Sequence, residues 1–222
     1  MKKIIISTAL FFCIPVFGIS QTLNWASFKK EQSHFINFNT GVEYGLVAGL
    51  RYGYKLQSRL PVVLEAGYSF PGGKKLFDDF KTSIGGQLQF YKTGNFIFST
   101  KLHAIFRRYE NDFTRLLNIG SDLSTTVGYY RPKWFAAAEA GFDKAIVTHF
   151  KHTAAYKEIF PLVKDGWYEP STGGNFYFGL QGGYTAKQVD LYGKAGYIVQ
   201  QDLETRSLLP FFVEVGINAR LK

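Results

Sequence analysis

Apolar and polar residues alternate without interruption from Val42 to Leu56. The even positions are aliphatic or aromatic, and the odd positions are mostly glycine or charged residues such as Arg51. Side chains of an extended strand point alternately to two faces, so this segment predicts one apolar face and one small or charged face. A strand of a soluble sandwich also alternates, but it rarely needs glycine at every second position of its polar face. An apolar outer face with a glycine-rich, charged inner face is typical of a transmembrane β-barrel.

The same alternation recurs along the rest of the chain. It is found in residues 62–70, 84–91, 96–107, 119–129, 134–143, 175–184, 189–197 and 211–221. Nine segments with one pattern predict an all-β protein. A further segment, residues 34–41, continues the parity of Val42, so the pattern does not locate a turn between them.

Short and long connections alternate between these segments. Short turns are expected at 57–60, 93–95, 131–133 and 186–188, and long loops at 71–80, 109–116, 148–172 and 202–209. Bacterial outer-membrane barrels have short periplasmic turns and long extracellular loops, which orients the predicted strands. Residues 42–56 then descend and need an ascending strand before them. With residues 34–41 in that place, we predict a transmembrane antiparallel up-and-down barrel of about ten strands, with eight strands as the alternative.

Residues 1–20 have the features of a cleaved signal peptide. Lys2 and Lys3 form a basic start, and the apolar stretch that follows is shorter than the ~20 residues of a membrane-spanning helix. Residues 21–222 are then expected to form a single barrel domain. The one cysteine, Cys13, lies in the signal, which leaves no disulfide and no cysteine-based zinc site for the barrel.

Composition agrees with a barrel in a membrane. Aromatic residues make up 18% of the chain, and its mean hydropathy is −0.07. Only half of each barrel strand is apolar, so an average near zero is expected. The net charge is +9, and for an exported chain anionic lipid headgroups are the expected counter-ions, not nucleic acid. Aromatic residues suited to a headgroup girdle flank the short turns: Tyr54, Phe90, Phe96, Tyr129, Trp134 and Tyr184.

The C-terminal segment carries a sorting motif. Glu214 is followed by Gly216 two positions later, and then by the apolar positions Ala219 and Leu221. This pattern resembles the β-signal read by the barrel assembly machinery, although Leu221 and Lys222 stand where an aromatic residue is usual. Together with the repeated strands, the chain resembles the small integral outer-membrane barrels of Gram-negative bacteria, the OmpA/OmpX-like class, over nearly all of its mature length. The resemblance implies an outer-membrane location, insertion by the barrel assembly machinery, and contact with outer-membrane lipids and lipopolysaccharide.

Inward-facing residues of the predicted hairpins form candidate ion pairs. Counting from a short turn places Arg51 near Glu65, and counting from an outer loop places Lys101 and His103 near Asp122. Charges of both signs at one level predict a salt-bridged lumen. Barrels of about eight strands have an interior that side chains fill, and a ten-stranded barrel is only slightly wider.

The same face carries residue types used in acid–base catalysis. Ser124 is expected near Glu139, and with His103 and Asp122 they match a nucleophile–base–orienter group of a barrel hydrolase. The alternative is that these groups only neutralise one another. The sequence favours this alternative: a non-enzymatic outer-membrane barrel with a structural, binding or accessory role and a largely filled lumen. An enzyme acting on lipid A or peptides and a narrow channel for small or hydrophobic solutes remain the other possibilities.

Two outer regions are candidates for binding. The longest loop holds aromatic residues among lysines, which suits a protein or glycan partner, although the same residues would also pack a cap over the barrel mouth. The loop candidates are His149, His152, Trp167 and Tyr168. The basic residues expected to contact lipid headgroups are Lys74, Lys75, Arg107 and Arg108. Two histidines three positions apart are a weak metal motif, and phosphate-loop and dinucleotide motifs are absent, so neither metal nor cofactor is expected.

Overall fold

A computed structural model describes residues 22–29, 31–43, 46–71, 79–170, 173–204 and 209–221. The expected signal peptide, Lys74 and Lys75 lie outside these residues. The strands of the described chain are β1 (His34–Glu43), β2 (Leu46–Lys55), β3 (Val62–Pro71), β4 (Phe80–Thr93), β5 (Phe96–Glu110), β6 (Thr114–Arg131), β7 (Trp134–His152), β8 (Gly166–Tyr168), β9 (Gly174–Ala186), β10 (Val189–Gln200) and β11 (Phe211–Leu221).

All of these strands except β8 form a closed antiparallel barrel. Consecutive barrel strands pair with each other, and β1 pairs with β11 along its whole length, with Phe38 opposite Ile217. Closure leaves no strand edge open to lipid, where backbone groups have no water as a partner. The structure confirms the predicted up-and-down barrel, and within the described ranges the strand count is ten instead of eight.

The first hairpin corrects the sequence-based strand assignment. Residues 42–56 were expected to form one descending strand, whereas β1 continues to Glu43 and β2 begins at Leu46. Val42 pairs with Leu46, and both positions are even. The alternation therefore passes through the hairpin unchanged, which is why the pattern alone does not reveal it.

The barrel exterior is apolar and its interior is polar. On β11, Val213, Val215 and Ile217 are exposed on the outer face, while Glu214 and Asn218 face inward and are buried. A soluble protein would cover such an apolar surface, whereas lipid tails solvate it. The exterior is therefore the lipid-facing surface.

Two β-bulges change which residues face the lumen. Pairing between β4 and β5 skips Phe90, and pairing between β6 and β7 skips Ile146. A bulge inserts one unpaired residue, so positions on its two sides differ in parity. In β7 the odd residue Asp143 is buried in the lumen below the bulge, and the even residue Thr148 is buried above it. The bulge in β7 therefore determines which residues of that strand face lipid at the outer rim.

Two short helical elements lie outside the barrel wall. A 3-10 turn spans Trp25–Ser27, and α1 (Ala154–Ile159) lies in the outer loop after β7. The side chains of Asn24 and Thr153 cap these elements by accepting hydrogen bonds from backbone N–H groups of the first turn. Neither these helices nor any other in the described part of the chain is long and apolar enough to cross a membrane.

Candidate functional site

An N-terminal segment, residues 22–28, fills the periplasmic mouth of the barrel and is called here the N-terminal plug. Leu23 and Trp25 are only 3% and 8% exposed, and they belong to a buried cluster with Phe35 and Phe135. Those two phenylalanines lie at the periplasmic ends of β1 and β7. The plug shows no alternation, and sequence reasoning missed it. The available signal was two large apolar residues directly after the expected cleavage site.

Polar side chains of the barrel also hold the N-terminal plug. Asn24 Nδ2 donates to Thr185 Oγ1 over 2.8 Å. Asn218 Nδ2, from the last strand, donates to the carbonyl oxygen of Thr22 over 2.6 Å. Buried polar groups need such partners because burial removes their bonds to water. The plug is therefore fixed by specific hydrogen bonds as well as by apolar packing.

Arg220 links the C-terminal strand to the plug. Its Nη1 atom lies 2.6 Å from Asp190 Oδ2 and also donates to the hydroxyl of Ser27. The guanidinium lies over the Phe28 ring, 5.7 Å from its centroid. The plug thus contacts, through Ser27 and Phe28, the same guanidinium that forms the ion pair with Asp190 on β10.

The middle of the lumen contains a first ion cluster around Glu65. Its Oε2 atom lies 3.2 Å from Arg51 Nη1 and 3.1 Å from His103 Nε2. Gln87 Nε2 donates to the other carboxylate oxygen over 2.6 Å. This cluster joins β2, β3, β4 and β5, and it contains the Arg51–Glu65 contact for which the sequence register suggested proximity.

A second ion cluster surrounds Glu139. Lys101 Nζ and Lys194 Nζ each lie 2.7 Å from one of its carboxylate oxygens, and the Ser124 hydroxyl donates to Oε1 over 3.1 Å. The two lysines come from β5 and β10, so Glu139 on β7 is bound from both sides. The cluster spans the lumen instead of following one hairpin.

Inward-facing tyrosines fill the remaining space. A Cβ atom added at Gly141 would overlap the ring of Tyr177, so this glycine makes room for the ring. The Tyr177 hydroxyl donates to Asp122 over 2.8 Å, and Tyr192 on β10 donates to Glu214 over 2.7 Å. Asn39 Nδ2 also binds Glu214, at 2.9 Å. All ten barrel strands contribute to these contacts, which we call the central polar network: Asn39, Arg51, Glu65, Gln87, Lys101, His103, Asp122, Ser124, Glu139, Tyr177, Tyr192, Lys194 and Glu214.

The four catalytic candidates do not form one catalytic group. His103 binds Glu65 and Arg51, Ser124 binds Glu139, and Asp122 accepts from Tyr177. His103 is the cross-strand partner of Asp122, as the sequence register suggested, yet neither Lys101 nor His103 forms its ion pair with that carboxylate. The expected pairing is corrected: both side chains bind acids two strands away, Glu139 on β7 and Glu65 on β3, because inward-facing side chains of non-adjacent strands converge in a narrow lumen.

A small cavity lies on the extracellular side of the network. It has a volume of about 10 Å³, and its lining includes Arg51, Lys81, Asn39 and Ser83. That volume is close to the smallest that holds one water molecule. The cavity is therefore large enough for about one water molecule and too small for an organic ligand.

The outer loop candidates are divided between two faces of the wall formed by β6, β7 and β8. Tyr168 packs edge-on against Phe150 at 5.5 Å, on the lumen side. His152 stacks on Tyr156 of α1 at 5.1 Å. His149 lies against Trp167 on the opposite, outward face, with ring centroids 5.0 Å apart. The structure therefore does not bring the four residues together into one site.

Asp165 holds the outer loop in its conformation. Its carboxylate accepts from the His152 backbone N–H at 2.9 Å, and it lies 2.6 Å from Lys157 Nζ and 3.0 Å from His152 Nδ1. These interactions, the backbone hydrogen bond first, hold the pKa of Asp165 well below its usual range.

At the outer rim, the two neighbouring arginines face opposite sides. Arg107 is buried in the lumen and forms an ion pair with Asp143, so its expected role in lipid contact is corrected. Arg108 faces outward and lies 2.5 Å from Glu110. Adjacent residues of a strand point to opposite faces, so only one of the two is able to reach lipid.

At the periplasmic end, aromatic residues of β5, β6 and β7 form a contiguous part of the expected girdle. The ring centroids of Phe96 and Tyr129 are 5.3 Å apart, and those of Tyr129 and Trp134 are 5.6 Å apart. The Arg131 guanidinium lies over Tyr129 at 5.6 Å, and Asn95 donates to its hydroxyl at 3.0 Å. An apolar ring with a polar tip is suited to the boundary between lipid tails and headgroups. The girdle marks the periplasmic boundary of the membrane.

Closed strand pairing, an apolar exterior, a buried polar lumen and an aromatic girdle define a transmembrane β-barrel of the kind found in bacterial outer membranes. No protein-family model matches the sequence, and no curated protein matches it.

Solved structures with a similar outline are also outer-membrane proteins. A KdgM porin in complex with disordered oligogalacturonate has a TM-score of 0.43 and 9% identity, covering 85% of this chain and 99% of that one. The beta domain of the Bordetella autotransporter BrkA has a TM-score of 0.40 and 13% identity, covering 84% and 98%. OmpT, an outer membrane protein of Vibrio cholerae, has a TM-score of 0.33 and 12% identity, covering 87% and 62%. Likenesses this weak assign no function, and the barrel assignment rests on its own strand pairing.

Proposed function

We propose that the protein is an integral bacterial outer-membrane barrel without enzymatic activity, whose lumen is closed and whose outer surface has a structural or binding role. The observation that carries this proposal is the burial of charge in the middle of the lumen. Glu65, Lys101, Glu139 and Lys194 are each 5% exposed or less. In a water-filled pore, charged side chains of this kind line the channel and are exposed to solvent. Here they are buried and contact one another.

The N-terminal plug supports the same conclusion at a second level. It closes the periplasmic mouth with apolar side chains, and the central polar network closes the middle of the barrel. A solute passing through the barrel would have to displace both. The two closures rest on different interactions, which argues for a permanently filled lumen.

Burial of the acid–base residues supports a non-enzymatic role. Ser124 and His103 are each 2% exposed, and they bind different carboxylates. A nucleophile needs its base within hydrogen-bond reach and a path for the substrate. Neither condition is met by this pair.

A narrow channel is the second candidate function. The cavity beside Arg51 and Lys81 favours it, since it leaves room for about one water molecule next to two cations in the upper lumen. A channel of this kind would have to open by displacing the central polar network.

Electrical recording in planar lipid bilayers tests the proposal. The refolded barrel is expected to give no unitary conductance steps. Steps are expected from an opened variant that lacks residues 22–28 and carries Lys101→Ala, Glu139→Ala and Lys194→Ala, because removing the three charges together leaves neither lysine facing a deleted carboxylate. Deletion of residues 22–28 alone is the matched control and should remain silent. Reproducible steps from the unmodified barrel would favour the channel and overturn the proposal.

A further inference from the structure

The outward face of β5, β6 and β7 changes from apolar to basic near the outer rim. At the upper end of the apolar surface, Phe106 lies opposite Ile119, and Ile119 lies opposite Val147. Four residues further out along the wall, Arg115 lies directly opposite Lys151. All five side chains lie on the same face, because the even positions of β5 and the odd positions of β6 point outward, as do the odd positions of β7 above its bulge.

The row between these two levels is amphipathic. Arg108 lies opposite Leu117, Leu117 opposite His149, and His149 opposite Trp167 on β8. The Trp167 ring is 56% exposed and contacts His149. Tryptophan is enriched where lipid tails meet headgroups. This row therefore marks the extracellular boundary of the membrane.

The length of β6 places Arg115 just beyond that boundary. Fourteen residues separate it from Tyr129 of the periplasmic girdle. At a rise of ~3.3 Å per residue this is about 46 Å along the strand, and a tilt of ~40° leaves about 35 Å along the membrane normal. The apolar band of such barrels is ~25 Å tall between its girdles. Arg115 and Lys151 therefore lie at the height of the outer-leaflet headgroups.

Two cations directly opposite each other repel unless an anion lies between them. Within the described residues, no ion pair joins Arg115 or Lys151 to a carboxylate. Glu110 on β5 lies directly opposite Arg115, but its carboxylate is 2.5 Å from Arg108 and forms no recorded ion pair with Arg115, while Asp79 accepts a hydrogen bond from the Glu110 backbone N–H. Glu110 offsets one of the three positive charges of Arg108, Arg115 and Lys151, so this part of the wall keeps a net positive charge that an anion from outside the protein would balance.

We propose that Arg115 and Lys151 bind a phosphate group of an outer-leaflet glycolipid of the lipopolysaccharide type, with Arg108 and Trp167 beside it. A guanidinium matches two phosphate oxygens at once, and the lysine adds a second positive charge. The exposed Trp167 ring provides an apolar surface for the adjoining sugar or acyl chain. The inference rests on the membrane placement in the proposed function and adds a ligand to the outer surface.

Native mass spectrometry of the barrel in detergent micelles measures this binding. Doubly phosphorylated lipid A is expected to remain bound, and a dephosphorylated glycolipid with the same acyl chains to bind at least about tenfold more weakly. Arg115→Gln with Lys151→Gln should reduce lipid A binding by about tenfold or more. The charge-preserving pair Arg115→Lys with Lys151→Arg should retain it. Millimolar inorganic phosphate should not displace the lipid, and displacement would mean a free-phosphate site instead.

The matched control removes the same charge at the other end of the barrel. Arg59 and Lys133 are exposed in periplasmic turns, so Arg59→Gln with Lys133→Gln should leave lipid A binding unchanged. Heat-modifiable migration on gels shows that each variant is folded. Equal binding by the two charge-removal variants, or no preference for phosphorylated lipid, overturns the inference. Neither result bears on conductance, so failure here is distinct from failure of the proposed function.

Discussion

Glu139 lies between two lysines from different strands, and each amine is 2.7 Å from its carboxylate. Glu139→Gln keeps the shape of the side chain but leaves Lys101 and Lys194 buried without a counter-charge. Removing one partner of a buried ion pair costs about 3–5 kcal/mol because the other charge cannot recover its hydration. We expect the free energy of unfolding, measured by urea titration in lipid vesicles, to fall by that order.

The matched control for this change is Glu158→Gln on α1. Glu158 is exposed in the outer loop, so loss of its charge should leave the urea midpoint within error of the unmodified barrel. If Glu139→Gln unfolded at the same urea concentration as Glu158→Gln, the lysines would be solvated and the lumen open.

Contacts between adjacent strands in the lumen followed from turn-based register, and contacts between non-adjacent strands did not. The register suggested that Arg51 lies near Glu65 and Ser124 near Glu139, and the structure places each pair in contact. Lys101 instead crosses from β5 to an acid on β7. Counting residues from a turn predicts which side chains lie opposite each other in a hairpin. It does not predict the width of the barrel or which charged side chains of non-adjacent strands meet in the lumen.

Among the elements, the N-terminal plug contributes one indole, that of Trp25, to the periplasmic cluster. Trp25 is 8% exposed within the periplasmic cluster. Replacing a buried tryptophan with alanine costs about 3–5 kcal/mol, so Trp25→Ala should increase the fraction of barrels with the plug released, without unfolding the barrel. We expect trypsin to cleave after the exposed Lys29 at least about tenfold faster, as followed by mass spectrometry.

Trp134→Ala provides the comparison for this element. Trp134 is exposed in the girdle and does not contact the plug, so its loss should leave cleavage after Lys29 unchanged. The barrel should keep its heat-modifiable migration in both variants. A Trp25→Ala barrel that resisted trypsin like the unmodified protein would show that the hydrogen bonds that Thr185 accepts and Asn218 donates suffice to hold the plug.

At this scale, alternation predicts the strands but not every boundary. It marks the lipid-facing and lumen-facing sides because each barrel strand lies between an apolar and a polar medium. It misses the hairpin after Glu43, where strand parity is unchanged, and the slip at Ile146, where one inserted residue reverses the facing. The alternation pattern does not reveal the plug, because a segment inside the barrel has no lipid-facing side and so does not need alternating apolar and polar residues.

For the whole molecule, the two ends differ in size and chemistry. The periplasmic end has short turns, an aromatic girdle and a plug, and the extracellular end has the tall wall of β5, β6 and β7 with α1 above it. The basic pair Arg115 and Lys151 lies at that taller end. Glycolipid binding at this pair therefore requires that the long loops lie on the extracellular side of the membrane. That orientation is open to measurement.

Single-cysteine labelling in intact cells tests this orientation. The only natural cysteine, Cys13, lies in the expected signal peptide, so an introduced cysteine should be the sole target in the mature barrel. Leu162→Cys, at a site 94% exposed in the outer loop, should react with a membrane-impermeant maleimide on intact cells. Arg59→Cys, in a periplasmic turn, should react only after the outer membrane is permeabilised. The reverse pattern would place the basic pair at the periplasmic leaflet and remove the physical basis for glycolipid binding.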